Sequence, residues 1–262
     1  MEILGYIVAI LIGISLGLIG SGGSILTVPV LVYLFKVEPL LATTYSLCIV
    51  GVSSIAGVIS KIKQKLLDFK IILNFGMPSM LGVIVSRKLI VPSIPAKFTF
   101  LGQFEVSKNN FIMLFFATLM LASAISMITS KKQVEKLEQN AHYGLGLGLV
   151  GLMEGLITGI VGAGGGFLII PALVLLGRLP MKKAIASSLF IITIKSLIGF
   201  LGDLTHTAVD FEFLFLIVLL ATGGIIMGNY LNNKMEGAKL KKGFGWFVLA
   251  MSIVIFIEQL IF

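Results

Sequence analysis

Charge is what this sequence most lacks. Only 12% of its 262 residues are Asp, Glu, Lys or Arg, where a soluble domain carries about 25%. With 57% hydrophobic residues and a mean hydropathy of +1.08, a water-soluble monomer could not solvate its surface, which sets aside soluble enzymes and nucleic-acid modules. Cysteine is nearly absent as well. The single Cys48 excludes an intramolecular disulfide framework and a cysteine-rich metal site. No basic n-region opens the apolar stretch, which follows Glu2 and not Lys or Arg, so the N-terminus reads as a retained structural segment. The net charge of +8 fits Lys and Arg gathered in cytoplasmic loops of a membrane protein.

What is present is a series of apolar stretches: 3–35, 40–60, 69–86, 109–130, 142–177, 184–201, 211–231 and 243–261. A crossing needs about 20 residues, so most are single spans. The stretches 3–35 and 142–177 are too long for one crossing, and glycine runs interrupt both, at Gly20–Ser24 and Gly162–Gly166. A shift of 142 positions aligns the two halves without a gap. Gly13, Gly17, Gly20, Gly22, Gly23, Leu26 and Pro29 then fall on Gly155, Gly159, Gly162, Gly164, Gly165, Leu168 and Pro171, and positions 13–82 give 19 identities. The chain therefore reads as repeat 1 (1–130), a cytoplasmic linker (131–141) and repeat 2 (142–262), together one transmembrane domain.

Loop charge gives the relative orientation. Residues 61–70 hold four lysines, whereas the equivalent 203–212 hold no Lys or Arg but Asp203, Asp210 and Glu212. Equivalent loops of opposite charge character belong on opposite sides, which requires an odd number of crossings per repeat. If each glycine-broken segment makes no net crossing, 14 Lys and Arg lie inside and five, Arg87 among them, outside. The expected fold is an all-α integral membrane protein of two inverted repeats, each a glycine-broken hairpin plus three transmembrane helices. One long kinked helix in place of each hairpin is the alternative. The stretch 87–108 reads as a loop.

Irregular backbone at membrane depth survives only inside protein or beside a wet cavity. Each glycine run precedes a short helix whose free N–H groups and positive dipole end favour an anion. Ser21, Gly22, Gly23 and Ser24 in the first run, and Gly164, Gly165 and Gly166 in the second, are the candidate binding residues. Close helix packing is the competing explanation for such glycines, and is the reading for Gly13/Gly17, Gly144/Gly146/Gly148 and Gly151/Gly155.

The doubled pattern GxGGxxLxxP in Gly20–Pro29 and Gly162–Pro171, each followed by an Ala-x-x-x-Ser-Leu segment, resembles the TauE/SafE sulfite-exporter family of membrane permeases over nearly the whole chain. The resemblance implies a multi-pass prokaryotic inner-membrane transporter of sulfite, organosulfonates or related small anions.

Other polar residues fall within apolar stretches. Lys195 reads as counter-charge to the anion or a gate, or as half of an internal ion pair, or as a side chain snorkelling to an interface. Glu154 is a candidate proton acceptor for coupling, since burial raises a carboxyl pKa; it is equally a partner for Lys195, or a residue at the membrane interface. Thr43, Thr44, Ser46, Ser187 and Ser188 are candidate donors to sulfonate oxygens, or back-bond to their own helices. Asn74 and Pro78 mark a kink, facing a cavity or packing. Asp68 and Asp210, each followed by Phe, read as helix N-caps. His142 and His206 stand alone, without a ligand cluster. The glycine runs lack the GKS/T of a phosphate-binding loop.

The expected activity is secondary transport of a small oxyanion by alternating access at a midplane site. The partners are the anionic substrate, the bilayer and a coupling proton or ion, with no nucleic acid, metal or organic cofactor. An anion channel, or a non-transporting membrane subunit, is the alternative.

Overall fold

The computed structural model describes residues 2–95, 97–100, 104–129, 145–162, 164–204, 207–234 and 237–261. The linker 131–141, His142 and His206 lie outside them, as do the side chains of Ser21, Gly22 and Gly23. The described chain is helical apart from one small hairpin. The helices are α1 (Glu2–Ile19), α2 (Thr27–Tyr33), α3 (Pro39–Lys63), α4 (Phe69–Ser93), α5 (Lys108–Thr129), α6 (Leu145–Val161), α7 (Gly166–Leu175), α8 (Met181–Asp203), α9 (Phe211–Lys234) and α10 (Gly237–Ile261). Among the described residues α3, α4, α5, α8 and α9 are long and apolar enough to cross a membrane. The caps at two of these starts are as expected: Asp68 Oδ1 accepts from the Ile71 amide and Asp210 Oδ1 from the Phe213 amide, both at 3.1 Å.

One expectation is corrected at residues 87–108. The helix does not stop at the charged pair Arg87-Lys88 but runs on to Ser93, through a π-helical turn at Ser86–Ile90 that leaves Ser86 and Arg87 both buried. The remainder is an antiparallel hairpin, β1 (Lys97–Phe100) and β2 (Phe104–Ser107), with Lys97 opposite Ser107. A second π-turn, Ile72–Gly76, supplies the irregularity expected near Asn74 and Pro78. Asn74 is exposed there and bonds back to the Lys70 carbonyl, so it faces no cavity.

The two central helices, α3 and α8, pack against each other and are mostly interior, with 78% and 72% of their apolar cores buried. They run antiparallel: Thr44 bonds to Asp203, Gly199 touches Leu47 and Gly57 touches Leu189. Around them the halves exchange partners, α1 packing along α9 and α6 along α4, while α5 packs along α10. The contacts recur under the 142-residue shift. A Cβ on Gly13 would lie 2.0 Å from the Ala221 carbonyl oxygen, and one on Gly155 would lie 2.0 Å from that of Ser79. Gly224 meets the Ile10 carbonyl as Gly82 meets that of Leu152. At these seams the glycine reading is close helix packing, as expected for Gly13/Gly17 and Gly151/Gly155; Gly148 also touches α4 at Asn74, whereas Gly146 meets nothing within 4 Å, which corrects the packing expectation there, and Gly144 lies outside the described residues.

Each glycine-broken segment doubles back. Gly5, near the start of α1, lies against the Phe35 ring just beyond α2. Gly148 lies beside Asn74 early in α4, Gly162 beside Arg87 late in α4, and Gly177, past α7, beside Ile71 again. The outer faces are apolar. Phe69, Leu73, Met77 and Leu81 make an exposed stripe along α4, and Phe215, Leu219 and Ile226 another on α9. Such patches suit contact with lipid and not with water.

Candidate functional site

The two breaks differ in build. In the first, Gly20 takes φ +70° and residues Gly20–Leu26, including Ser21, Gly22 and Gly23, wind as a 3₁₀ turn directly into α2. The Thr27 amide donates to the Ser24 carbonyl, and Ser24 is fully buried. In the second, Gly162, Gly164 and Gly165 all take left-handed φ, between +65° and +75°, and the chain reverses before α7 starts at Gly166. Glycine is required at Gly165 on two grounds. The backbone conformation is one that L side chains rarely adopt, and a Cβ would lie 2.1 Å from Glu154 Oε1.

Glu154 and Lys195 form the ion pair left open as one of their readings. Lys195 Nζ donates to Glu154 Oε1 at 2.6 Å and to Thr158 Oγ1 at 3.1 Å, and Ser79 Oγ donates to Glu154 Oε2 at 2.5 Å. All four residues are buried, Lys195 at 1% exposure. Helices α4, α6 and α8 thus meet at one charge pair, directly under the second glycine turn. Charges this deep in a membrane protein are costly unless paired, and the pairing explains how both are tolerated.

The candidate hydroxyls separate into two groups at opposite ends of the α3/α8 pair. At one end, Thr43 Oγ1 donates to the Leu40 carbonyl and accepts from Arg87, and Thr44 donates to Asp203 Oδ2 at 2.7 Å. At the other, Ser187 Oγ accepts from the Asp68 amide at 3.0 Å and Ser188 back-bonds to the Ile185 carbonyl. Ser46 is fully buried and its hydroxyl has no partner among the described residues.

Several polar residues escaped sequence reasoning. Ser54 on α3 and Ser196 on α8 are both fully buried with unpartnered hydroxyls. They are related by the 142-residue shift, and that match was their signal. Ser196 Oγ faces the second turn, 2.8 Å from where a Gly164 Cβ would stand. Arg87 was assigned to a loop because the apolar run ends at residue 86. In the fold it is a buried guanidinium whose Nη1 donates to Asp203 Oδ2 at 2.8 Å and to Thr43 Oγ1 at 3.2 Å. Lys61, also buried, donates to Asn232 Oδ1 at 3.0 Å, and the Asn232 side chain in turn donates to the Leu18 carbonyl next to the first break.

A multi-pass helical bundle with an apolar jacket, and with broken helices and unpartnered polar groups inside, has the anatomy of a membrane transporter. Comparison with known proteins gives the family. Residues 5–255 match the family model "Sulfite exporter TauE/SafE", and the chain belongs to that family of membrane transporters. Curated relatives agree. A "Probable membrane transporter protein" of Xylella fastidiosa (strain 9a5c) is 27% identical over 251 residues, 94% of this chain and 91% of the relative. "Probable membrane transporter protein YunE" of Bacillus subtilis is 28% identical over 257 residues, 89% and 90% of the two chains. "Probable membrane transporter protein MJ0441" of Methanocaldococcus jannaschii is 28% identical over 204 residues, 76% and 71%. No solved structure matches significantly.

Proposed function

We propose that the protein is a secondary transporter of a small oxyanion, sulfite or an organosulfonate, in the cytoplasmic membrane of a prokaryote. It works by alternating access between two inverted repeats. The observation that carries the reading is the pair Ser54 and Ser196. These unpartnered hydroxyls, fully buried on the two antiparallel central helices, are related by the same shift that relates the glycine breaks. A buried hydroxyl without a partner is unfavourable unless something polar visits it. Ser196 stands beside the left-handed glycines, where the backbone approaches closely.

Ser24 and the backbone of Ser21–Gly23 on one side, and Gly164–Gly166 on the other, form the anion-binding region, with Thr43, Thr44, Ser46, Ser187 and Ser188 along its approaches. The antiparallel run of α3 and α8 and the exchanged contacts of α1 with α9 and α6 with α4 support inversion. Lys195 and Glu154 supply a charge pair beside the second turn, and Glu154 is the proton-coupling group.

Purified protein in proteoliposomes tests this reading, with sulfite, sulfate, sulfonates and carboxylates as substrates under imposed pH gradients. Saturable flux of one oxyanion class, accelerated by counterflow and by a proton gradient, is the expected result. Flux without saturation or counterflow would identify a channel instead.

A further inference from the structure

We propose that Arg87 is the cationic anchor of the anion site, taking two oxygens of a small oxyanion on its Nε–Nη2 edge at the second glycine turn. The proposal rests on the transport reading above and names the group that selects the substrate.

The guanidinium is buried, 6% exposed, and it is used on one side only. Nη1 is held by Asp203 Oδ2 at 2.8 Å and Thr43 Oγ1 at 3.2 Å. Nε and Nη2, which share the other edge, are buried and have no hydrogen-bond partner among the described residues. Buried guanidinium donors are rarely left so, because arginine presents a rigid fork that asks for paired acceptors. One atom of the free edge stands at the turn. A Cβ on Gly162 would lie 2.3 Å from Nη2, so Nη2 meets the bare backbone of the turn, in a conformation (φ +70°) that keeps a side chain away. One unpartnered hydroxyl lies beside the same turn, Ser196 Oγ, 2.8 Å from a Gly164 Cβ position; a second, Ser86 Oγ, lies against the last turn of α6, 2.8 Å from a Gly159 Cβ position.

The other buried cation of this region is spent. Lys195 is bonded to Glu154 and Thr158. Asp203 fixes the orientation of Arg87 by gripping Nη1 and tempers its charge, so that a bound anion can still leave. The arrangement is one-sided. The shift places Asn229 opposite Arg87 and Lys61 opposite Asp203, so the fork exists at the second break alone. A fork of two N–H groups recognises a ligand presenting two oxygens at the right spacing, as a sulfonate, sulfite or carboxylate does, and gives no such advantage to a spherical halide.

The test measures binding to the full-length detergent-purified protein by calorimetry, with sulfite, methanesulfonate, acetate and chloride as probes and size-exclusion profiles as the check of folding. Arg87→Lys keeps the charge and loses the fork. It is expected to bind the oxyanions about tenfold more weakly or worse, while chloride binding stays as it was. Asp203→Asn removes the competing carboxylate and is expected to bind them about threefold more tightly, a gain that damaged folding does not produce. Wild-type oxyanion affinity in folded Arg87→Lys overturns the anchor and leaves the transport reading standing. If Arg87→Lys does not fold, unchanged or weaker binding by Asp203→Asn overturns it. A wild-type protein that binds none of the probes overturns the anchor and the transport reading together.

Discussion

Replacing Lys195 and Glu154 singly and together separates a structural ion pair from a working one. Glu154 accepts two short hydrogen bonds, 2.6 Å from Lys195 and 2.5 Å from Ser79, at 5% exposure. Glu154→Gln leaves the Lys195 ammonium with neutral acceptors only, the new amide oxygen and the Thr158 hydroxyl, and no counter-charge, and Lys195→Met leaves the carboxylate with only Ser79. Removing one partner of a buried pair costs about 3–5 kcal/mol, because the survivor is an uncompensated buried charge. The double variant Glu154→Gln/Lys195→Met buries no charge, and is expected to recover most of that loss, with a coupling energy of about 2 kcal/mol or more. The assay is equilibrium unfolding in detergent of wild type, both singles and the double, followed by proteoliposome flux of the double variant. The folded double variant is expected to carry anions down their own gradient without response to an imposed pH gradient. Single substitutions costing below about 1 kcal/mol, or a double cost equal to their sum, would refute the pairing argument. A double variant that still follows the pH gradient would remove Glu154 from proton coupling.

Four further outcomes follow from the geometry. Gly155→Ala, whose Cβ would lie 2.0 Å from the Ser79 carbonyl oxygen, is expected to destabilise by about 1–3 kcal/mol through overpacking. Gly146→Ala, with nothing within 4 Å, is expected to stabilise by up to about 1 kcal/mol; comparable melting of the two variants would contradict the seam. Ser196→Ala and Ser54→Ala are each expected to raise the KM for oxyanion flux several-fold with little change in melting temperature, since neither hydroxyl bonds to a described residue. Single cysteines at Lys65 and Thr207, in a Cys48→Ala background, are expected to be labelled by an impermeant maleimide from opposite sides of the membrane; labelling from the same side would defeat the inverted arrangement.

Much of the architecture was legible in the residues. Hydropathy runs locate crossing helices because the bilayer demands length and apolarity locally, and the N-caps at Asp68 and Asp210 were read correctly because a cap is a contact across three residues. The glycine breaks and the 142-residue repeat were visible for a related reason: left-handed turns and backbone-to-backbone seams admit glycine and little else. The loop expected at 87–108 failed because a charged pair ends an apolar run whether or not it ends the helix. A π-turn at Ser86–Ile90 turned Arg87 inward, which no windowed hydropathy reveals.

The sequence by itself determined a membrane protein of helices, broken twice at equivalent places, with a handful of polar residues that had to be reconciled with the apolar interior. The tertiary structure alone decided which of those residues meet. Lys195 finds Glu154 at a separation of 41 positions, Glu154 finds Ser79 at 75, and Arg87 finds Asp203 at 116. Local pattern carries no record of such distances. Partner choice across them is set by how the helices cross, with α4, α6 and α8 converging beneath the second glycine turn, and by the rule that a charge taken out of water must find its counterpart wherever the packing has placed it.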